Sequence, residues 1–258
     1  MSDLTVLAQG PIGAEAVEVE WVAESPTISA EAQATIDRRW DFYMADARAK
    51  GKSLFNGAIT RLIRAERGPG GGAGERGLRL VLGPADYKTF VVTVMRDREW
   101  FLRNAPEVMA FALGNSVLLT RGDRALLGVR SEGTSAYAGR AHVIGGVLEQ
   151  LGTAELPASV AGVLTHLRRE MQEEANLRDG DVVGEPMLLA LARDSFLAQP
   201  EMIWQWEVAV ELEEVVRRLD AHEHHGAVLV EKGGVAGGTW ELMTPVAREA
   251  WRLWRERR

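Results

Sequence analysis

The stretch from Ala158 to Ala175, which reads as a helix, constrains the fold more than any other part of this sequence. Val160, Leu164, Leu167, Met171 and Ala175 recur at helical spacing, and Glu170, Glu173 and Glu174 stand at i, i+3 and i+4 beside them. A helix written this way must lay its apolar stripe on a sheet while gathering three carboxylates along one edge. Two unit charges 4 Å apart repel by about 4 kcal/mol at an effective dielectric near 20. Long Glu side chains can splay into water, yet carboxylates crowded beside an apolar stripe match the oxygen donors that hard divalent cations prefer. Arg169, one turn before Glu173, is placed to hold that carboxylate in a bidentate pair. Gly145-Gly146, upstream at the end of a strand, lets a carbonyl oxygen or a pyrophosphate come close.

Around this helix the 258 residues alternate between strand and helix signals without long repeats. Strands are expected at Thr5 to Gln9 and Val17 to Val22 around a Gly10-Pro11 turn, and at Leu54 to Ala65 and Leu78 to Leu82. Ser29 is placed to cap a helix running to Lys50 and closed by Gly51. Gly68-Pro69-Gly70-Gly71-Gly72 lacks a following Gly-Lys-Ser/Thr and lies between two strands, so it reads as a hairpin loop and not a phosphate cradle. Pro84 to Arg103 reads as a helix followed by irregular chain. Val117 to Thr120 and Ala125 to Val129 form a hairpin, and His142 to Ile144 begins another strand. After the acidic helix come strands at Met187 to Arg193, Met202 to Val210 and Ala227 to Val230. Helices are expected at Glu213 to Leu219 and Pro245 to Arg257. The mixture predicts an α/β fold.

Composition removes several classes of function. There is no Cys, which excludes a disulfide scaffold, thiolate metal sites and cysteine nucleophiles. A net charge of -7 argues against a general nucleic-acid binder, and no apolar run is long enough to span a membrane. Met1-Ser2-Asp3-Leu4 lacks a signal-peptide pattern, so a soluble cytoplasmic protein is expected.

The run Arg169-Glu170-Met171-Gln172-Glu173-Glu174-Ala175-Asn176-Leu177, with Gly145-Gly146 upstream, resembles the Nudix box. Asn176 stands where that box has Gly, a mild change at a left-handed helix cap. The stretch between Gly146 and Arg169 is longer than in the usual box, with the extra residues around Leu151 to Pro157. Gly152 replaces an upstream Glu, leaving Glu149 or Glu155 as substitutes. From about residue 30 onward the chain is similar to the UDP-sugar diphosphatase branch of Nudix proteins. Trp40, Leu54-Phe55, Leu82-Gly83, Tyr87, Phe90, Ala192-Arg193-Asp194 and Ala221-His222-Glu223 occur in the same order as in that branch.

The resemblance implies a Nudix-type α/β/α sandwich with a mixed sheet in residues 111–258. Residues 1–110 would be an N-terminal α+β extension contributing to substrate recognition. It implies Mg²⁺, with Mn²⁺ as the alternative, held by Glu170, Glu173, Glu174 and the Gly146 carbonyl. Glu223 or Glu170 would be the base, with Arg169 supporting the acidic turn. Tyr87, Lys88, Arg193, Asp194 and His222 are candidate substrate contacts. The expected reaction is hydrolysis of UDP-glucose or UDP-galactose to UMP and hexose 1-phosphate. ADP-ribose or another nucleoside diphosphate derivative, and a non-catalytic nucleotide-sugar-binding module, are the alternatives. Trp204, Trp206, Trp240, Trp251 and Trp254 are expected in core or homodimer contacts, not in a base-stacking strip.

Overall fold

The computed structural model describes residues 3–69, 76–133 and 136–257. In chain order they form β1 (Leu4–Gly13), β2 (Val17–Trp21), α1 (Ala30–Ala49), β3 (Ala58–Pro69) and β4 (Arg76–Asp86). Next come α2 (Tyr87–Phe90), a π turn (Val91–Arg96) and α3 (Arg98–Asn104), then β5 (Gly114–Arg121), β6 (Arg124–Arg130), β7 (Ala141–His142) and β8 (Ile144–Val147). The chain ends with α4 (Val160–Ala175), β9 (Val182–Asp194), β10 (Pro200–Val208), α5 (Leu212–Arg218), β11 (His224–Glu231), α6 (Thr239–Leu242) and α7 (Pro245–Arg255). No helix among the described residues is long and apolar enough to cross a membrane.

The expected α/β architecture with a mixed sheet is present. The larger sheet runs β1-β9-β10-β5-β6-β11, with β7 on β6 and β8 on β5. The β10–β5 pair is parallel, whereas β9–β10 and β5–β6 are antiparallel. Alternation along the strands sends residues to opposite faces. Val117, Leu119, Trp204 and Trp206 join the apolar face of α4, while Leu118, Ile203, Trp251 and Trp254 join α7 on the other side. Trp204 and Trp206 thus share one buried face, as their spacing requires. A smaller sheet, β2-β4-β3, contributes Val17, Leu78, Leu80 and Leu82 to the same core as α4. The acidic helix is therefore packed between two sheets.

Gly10-Pro11 does not turn the chain back. β1 passes through it, with irregular register between Gln9 and Ile12, and pairs with β9 in the larger sheet. A bulge accommodates a proline without ending the strand. β2 lies in the smaller sheet, so the first two strands are not partners. The helical segment expected within Pro84 to Arg103 is interrupted: β4 runs to Asp86, Asp86 caps α2, and the π turn leads into α3. β3 and β4 pair antiparallel up to Pro69 and Arg76, in keeping with a hairpin. Gly70, Gly71 and Gly72 of the expected loop lie outside the described residues.

One buried acid stands apart from the acidic helix. Glu201 on β10 is 8% exposed, accepts a hydrogen bond from Ser116 Oγ, and lies against the bare Cα of Gly114. Burial pushes its carboxyl up to about 7, against the pull of Ser116 and Arg130. Below pH ~4.5 the group is protonated in both folded and unfolded chains. As pH rises through 7 the unfolded chain has already ionised, so stability is lost. The upward shift corresponds to roughly 3 kcal/mol at about 1.4 kcal/mol per pH unit. Chemical denaturation between pH 5 and 8 should show this decline in the native protein and a flatter profile in Glu201→Gln. Parallel profiles would contradict the assignment.

Candidate active site

The acidic turn is fixed at both ends. Ser159 precedes α4 in extended conformation, and Asn176 closes the helix in the left-handed region, with φ 49° and ψ 39°. Its N–H reaches the carbonyls of Gln172 and Met171, and Leu177 N–H also reaches Met171 O. Asn tolerates this backbone better than other residues with a side chain, which is how it replaces Gly at the cap.

Glu170 faces inward, with its side chain 17% exposed. Burial raises its carboxyl to about 8, and the charges of Glu174 and Glu173 add to the effect. Its carboxylate lies against Gly146, where an added Cβ would sit 3.0 Å from Oε2. The helix acid and the Gly pair are thus brought together, through the β5–β8 register that sets Asn115 opposite Gly146. Glu174 is 12% exposed and meets His224 Nε2 at 2.8 Å. Glu173 is exposed on the solvent side of the same turn.

Arg169 does not hold Glu173. Its guanidinium pairs with Glu149 at 2.6 Å, because the segment after β8 runs beside the helix and offers a carboxylate there. Of the two substitutes for the upstream Glu, Glu149 therefore reaches the helix, while Glu155 lines the neighbouring cleft.

Two histidines that the sequence pattern does not single out back the acids. His166, fully buried one turn before Glu170, places Nε2 3.2 Å from Glu170 Oε1, and burial lowers its pKa to about 4. His224 lies within His222-Glu223-His224-His225, but strand alternation at the start of β11 turns it inward while its neighbours stay exposed. Glu223 and His222 occupy an exposed loop tied to the end of α4 by Asp220 N–H on Glu174 O at 2.8 Å. Ser131 Oγ donates to His222 O, and Ser131 N–H donates to Glu223 O, which holds this loop against the β6–β7 connection.

A cleft of about 1210 Å³ opens beside the helix. Its wall includes Tyr43, Lys50, Lys52, Phe55, Tyr87, Arg96, Val147, Glu149 and Glu155. Tyr87 thus lies where a ligand would enter. Lys88 is not in the wall and pairs with Asp37. Arg193 and Asp194 are also outside it. Arg193 stacks over Phe111 at 5.3 Å, and Asp194 is 2% exposed, accepting from Tyr137 Oη and the N–H groups of Phe196 and Leu197. Asp194 therefore organises a turn.

The donor set fits a divalent ion. Glu170 lies against Gly146 and Glu174 follows one turn later on the same helix, and the pressure toward a neutral Glu170 is what a cation relieves. Among the described residues, no three His, Asp or Glu side chains already enclose an ion position.

No protein-family model matches the chain, and no curated protein matches it. Several solved structures are similar over part of it. A MutT NUDIX hydrolase from Burkholderia pseudomallei has 17% identity and a TM-score of 0.36, covering 55% of this chain and 96% of that one. A NUDIX hydrolase from Nitrosomonas europaea has 15% identity and a TM-score of 0.35, covering 57% and 71%. A MutT protein from Methanosarcina mazei has 18% identity and a TM-score of 0.34, covering 56% and 94%.

The helix cap yields a direct test. Asn176→Ala should lower unfolding free energy by about 1 kcal/mol, because Ala keeps the Cβ but lacks the short polar side chain that makes Asn tolerant of the left-handed region, while Asn176→Gly should match or exceed the native protein. Denaturant titration separates them; equal stability of all three chains would contradict the cap geometry.

Proposed function

We propose that this protein is a divalent-metal-dependent hydrolase that cleaves the pyrophosphate bond of nucleoside diphosphate derivatives, UDP-glucose and UDP-galactose foremost. The observation carrying this reading is continuity: Glu149 lines the cleft and is paired with Arg169, which directly precedes Glu170 on α4. A ligand in the cleft could therefore present a diphosphate to the acidic turn. The cleft exceeds the ~300–1,000 Å³ of most small-molecule pockets, which suits a two-part ligand such as a nucleotide sugar.

Glu170 and Glu174 would hold Mg²⁺ or Mn²⁺, with Glu173 and the Gly146 carbonyl completing the set. When bound, such an ion neutralises phosphate charge and lowers the pKa of water. Lys50, Lys52 and Arg96 supply further positive charge along the wall, and Tyr87 and Phe55 offer aromatic surface for a base. Glu223, on the loop fixed to the end of α4, or Glu170 would accept the proton of the attacking water. Arg169 acts through Glu149 by holding the cleft wall to the helix. Positioning and charge neutralisation then account for most of the rate, since phosphoryl transfer demands little covalent chemistry from the protein.

Incubation with UDP-glucose, UDP-galactose and ADP-ribose, with Mg²⁺ or with chelator, tests this reading by product analysis. UMP and hexose 1-phosphate should form only with metal. Glu174→Gln should reduce kcat by about 10²–10³-fold, the scale of removing a group that stabilises transition-state charge. Phe55→Ala should act mainly on KM. Release of AMP from ADP-ribose alone would move the assignment to that substrate, and tight UDP-sugar binding without turnover would replace hydrolysis by a binding function.

A further inference from the structure

We propose that His166 and His224 are positioning residues, one behind each acid, that fix which oxygens of Glu170 and Glu174 face the ion. This rests on the metal-site reading above and adds the hydrogen-bond chain that sets the site's geometry.

The chain starts in the core, at an atom with only one possible role. The indole N–H of Trp204 can only donate, and it lies 2.9 Å from Asn115 Oδ1. That contact orients the Asn115 amide, so its NH₂ meets Val163 O at 2.9 Å and His166 Nδ1 at 3.4 Å. An NH₂ group facing Nδ1 requires a lone pair there. The ring hydrogen of a neutral imidazole must then sit on Nε2. Among the described residues Nε2 has no well-formed hydrogen bond, and it is buried 3.2 Å from Glu170 Oε1. This buried nitrogen therefore stands against one carboxylate oxygen, with the Val147 backbone beside the same ring. Both oxygens of Glu170 lie against Gly146, Oε2 the nearer.

His224 repeats the arrangement from the opposite side. Nε2 lies 2.8 Å from Glu174 Oε2, and Nδ1 is buried without a partner among the described residues. Placing the ring hydrogen on Nε2 satisfies the carboxylate contact, whereas placing it on Nδ1 would bury an unpaired donor. The ring has room because residue 128 on β6 is Gly: a Cβ there would collide with Nδ1. Each acid thus has one oxygen against an imidazole nitrogen, hydrogen-bonded in the case of Glu174. Restricting carboxylate rotation in this way lowers the ordering cost of ion binding. Losses of such supporting contacts typically cost 10–100-fold in metal affinity.

The test is Mn²⁺ binding to the full chain without nucleotide, followed by electron paramagnetic resonance and calorimetry, with melting temperature as the folding control. His166→Leu and His224→Leu should each weaken Mn²⁺ binding by about 10–100-fold. His166→Gln and His224→Gln, which restore an N–H donor, should recover most of that loss, a rescue that a purely space-filling role would not produce. Should a Leu variant fail to fold, Gly128→Ala displaces the His224 ring while leaving every proposed ligand in place, and should weaken binding likewise. Native affinity in the Leu variants or in Gly128→Ala, with Glu174→Gln weakened, overturns the positioning role and leaves the metal site standing. No Mn²⁺ binding by the native chain, or unchanged binding in both Glu170→Gln and Glu174→Gln, overturns the site itself and this inference with it.

Discussion

Burial of one carboxylate beside a like-charged neighbour on α4 is the constraint on which this molecule turns. α4 cannot rotate its acids into water, because Val163, Leu167, Met171 and Ala175 fasten it in a core shared by both sheets. Glu170 consequently stands largely out of solvent beside Glu174, and its carboxyl is driven up to about 8. A fold with no use for this arrangement would relieve it with a cation-bearing side chain. Here the adjacent Arg169 instead turns to Glu149. The charge imbalance that remains is concentrated where a small ion and a diphosphate could share it.

The segment between β8 and α4 determines how that charge meets a ligand. It is anchored, with Leu151 and Leu156 in the core and hydrogen bonds from the N–H groups of Gly152 and Thr153 to Leu156 O. Thr60 Oγ1 donates to Glu149 O, tying the same segment to β3 of the smaller sheet. The N-terminal elements and the segment leading into the acidic helix thereby contribute to one cleft. Tyr43, Lys50 and Phe55 come from the first, and Glu149 stands at the junction.

Much of this is legible in the sequence where local chemistry decides. Ser29 caps α1 by accepting from Ala32 N–H, Asn176 takes the left-handed cap, and the 3.6-residue stripe of α4 finds its core. What is not legible depends on contacts between distant segments. Nothing near Gly10-Pro11 signals that β9 pairs across it and absorbs the proline in a bulge. Arg169 has an acid one turn away on its own helix, yet the chain returns another, Glu149, from the loop before it. In sequence His166 resembles an ordinary core residue, and its role emerges only when Trp204 and Asn115 arrive from β10 and β5. Likewise, the period-two alternation that turns His224 inward and leaves Glu223 outside depends on where β11 begins. Asp194 occupies a motif position, but its oxygens are taken by Tyr137 and the following turn.

Crystals grown with Mn²⁺ and examined for anomalous scattering at the manganese edge address the central claim most directly. A peak coordinated by Glu170 and Glu174, beside Gly146, is expected. A map with both side chains ordered and no peak between them, at a concentration that supports turnover, would contradict it.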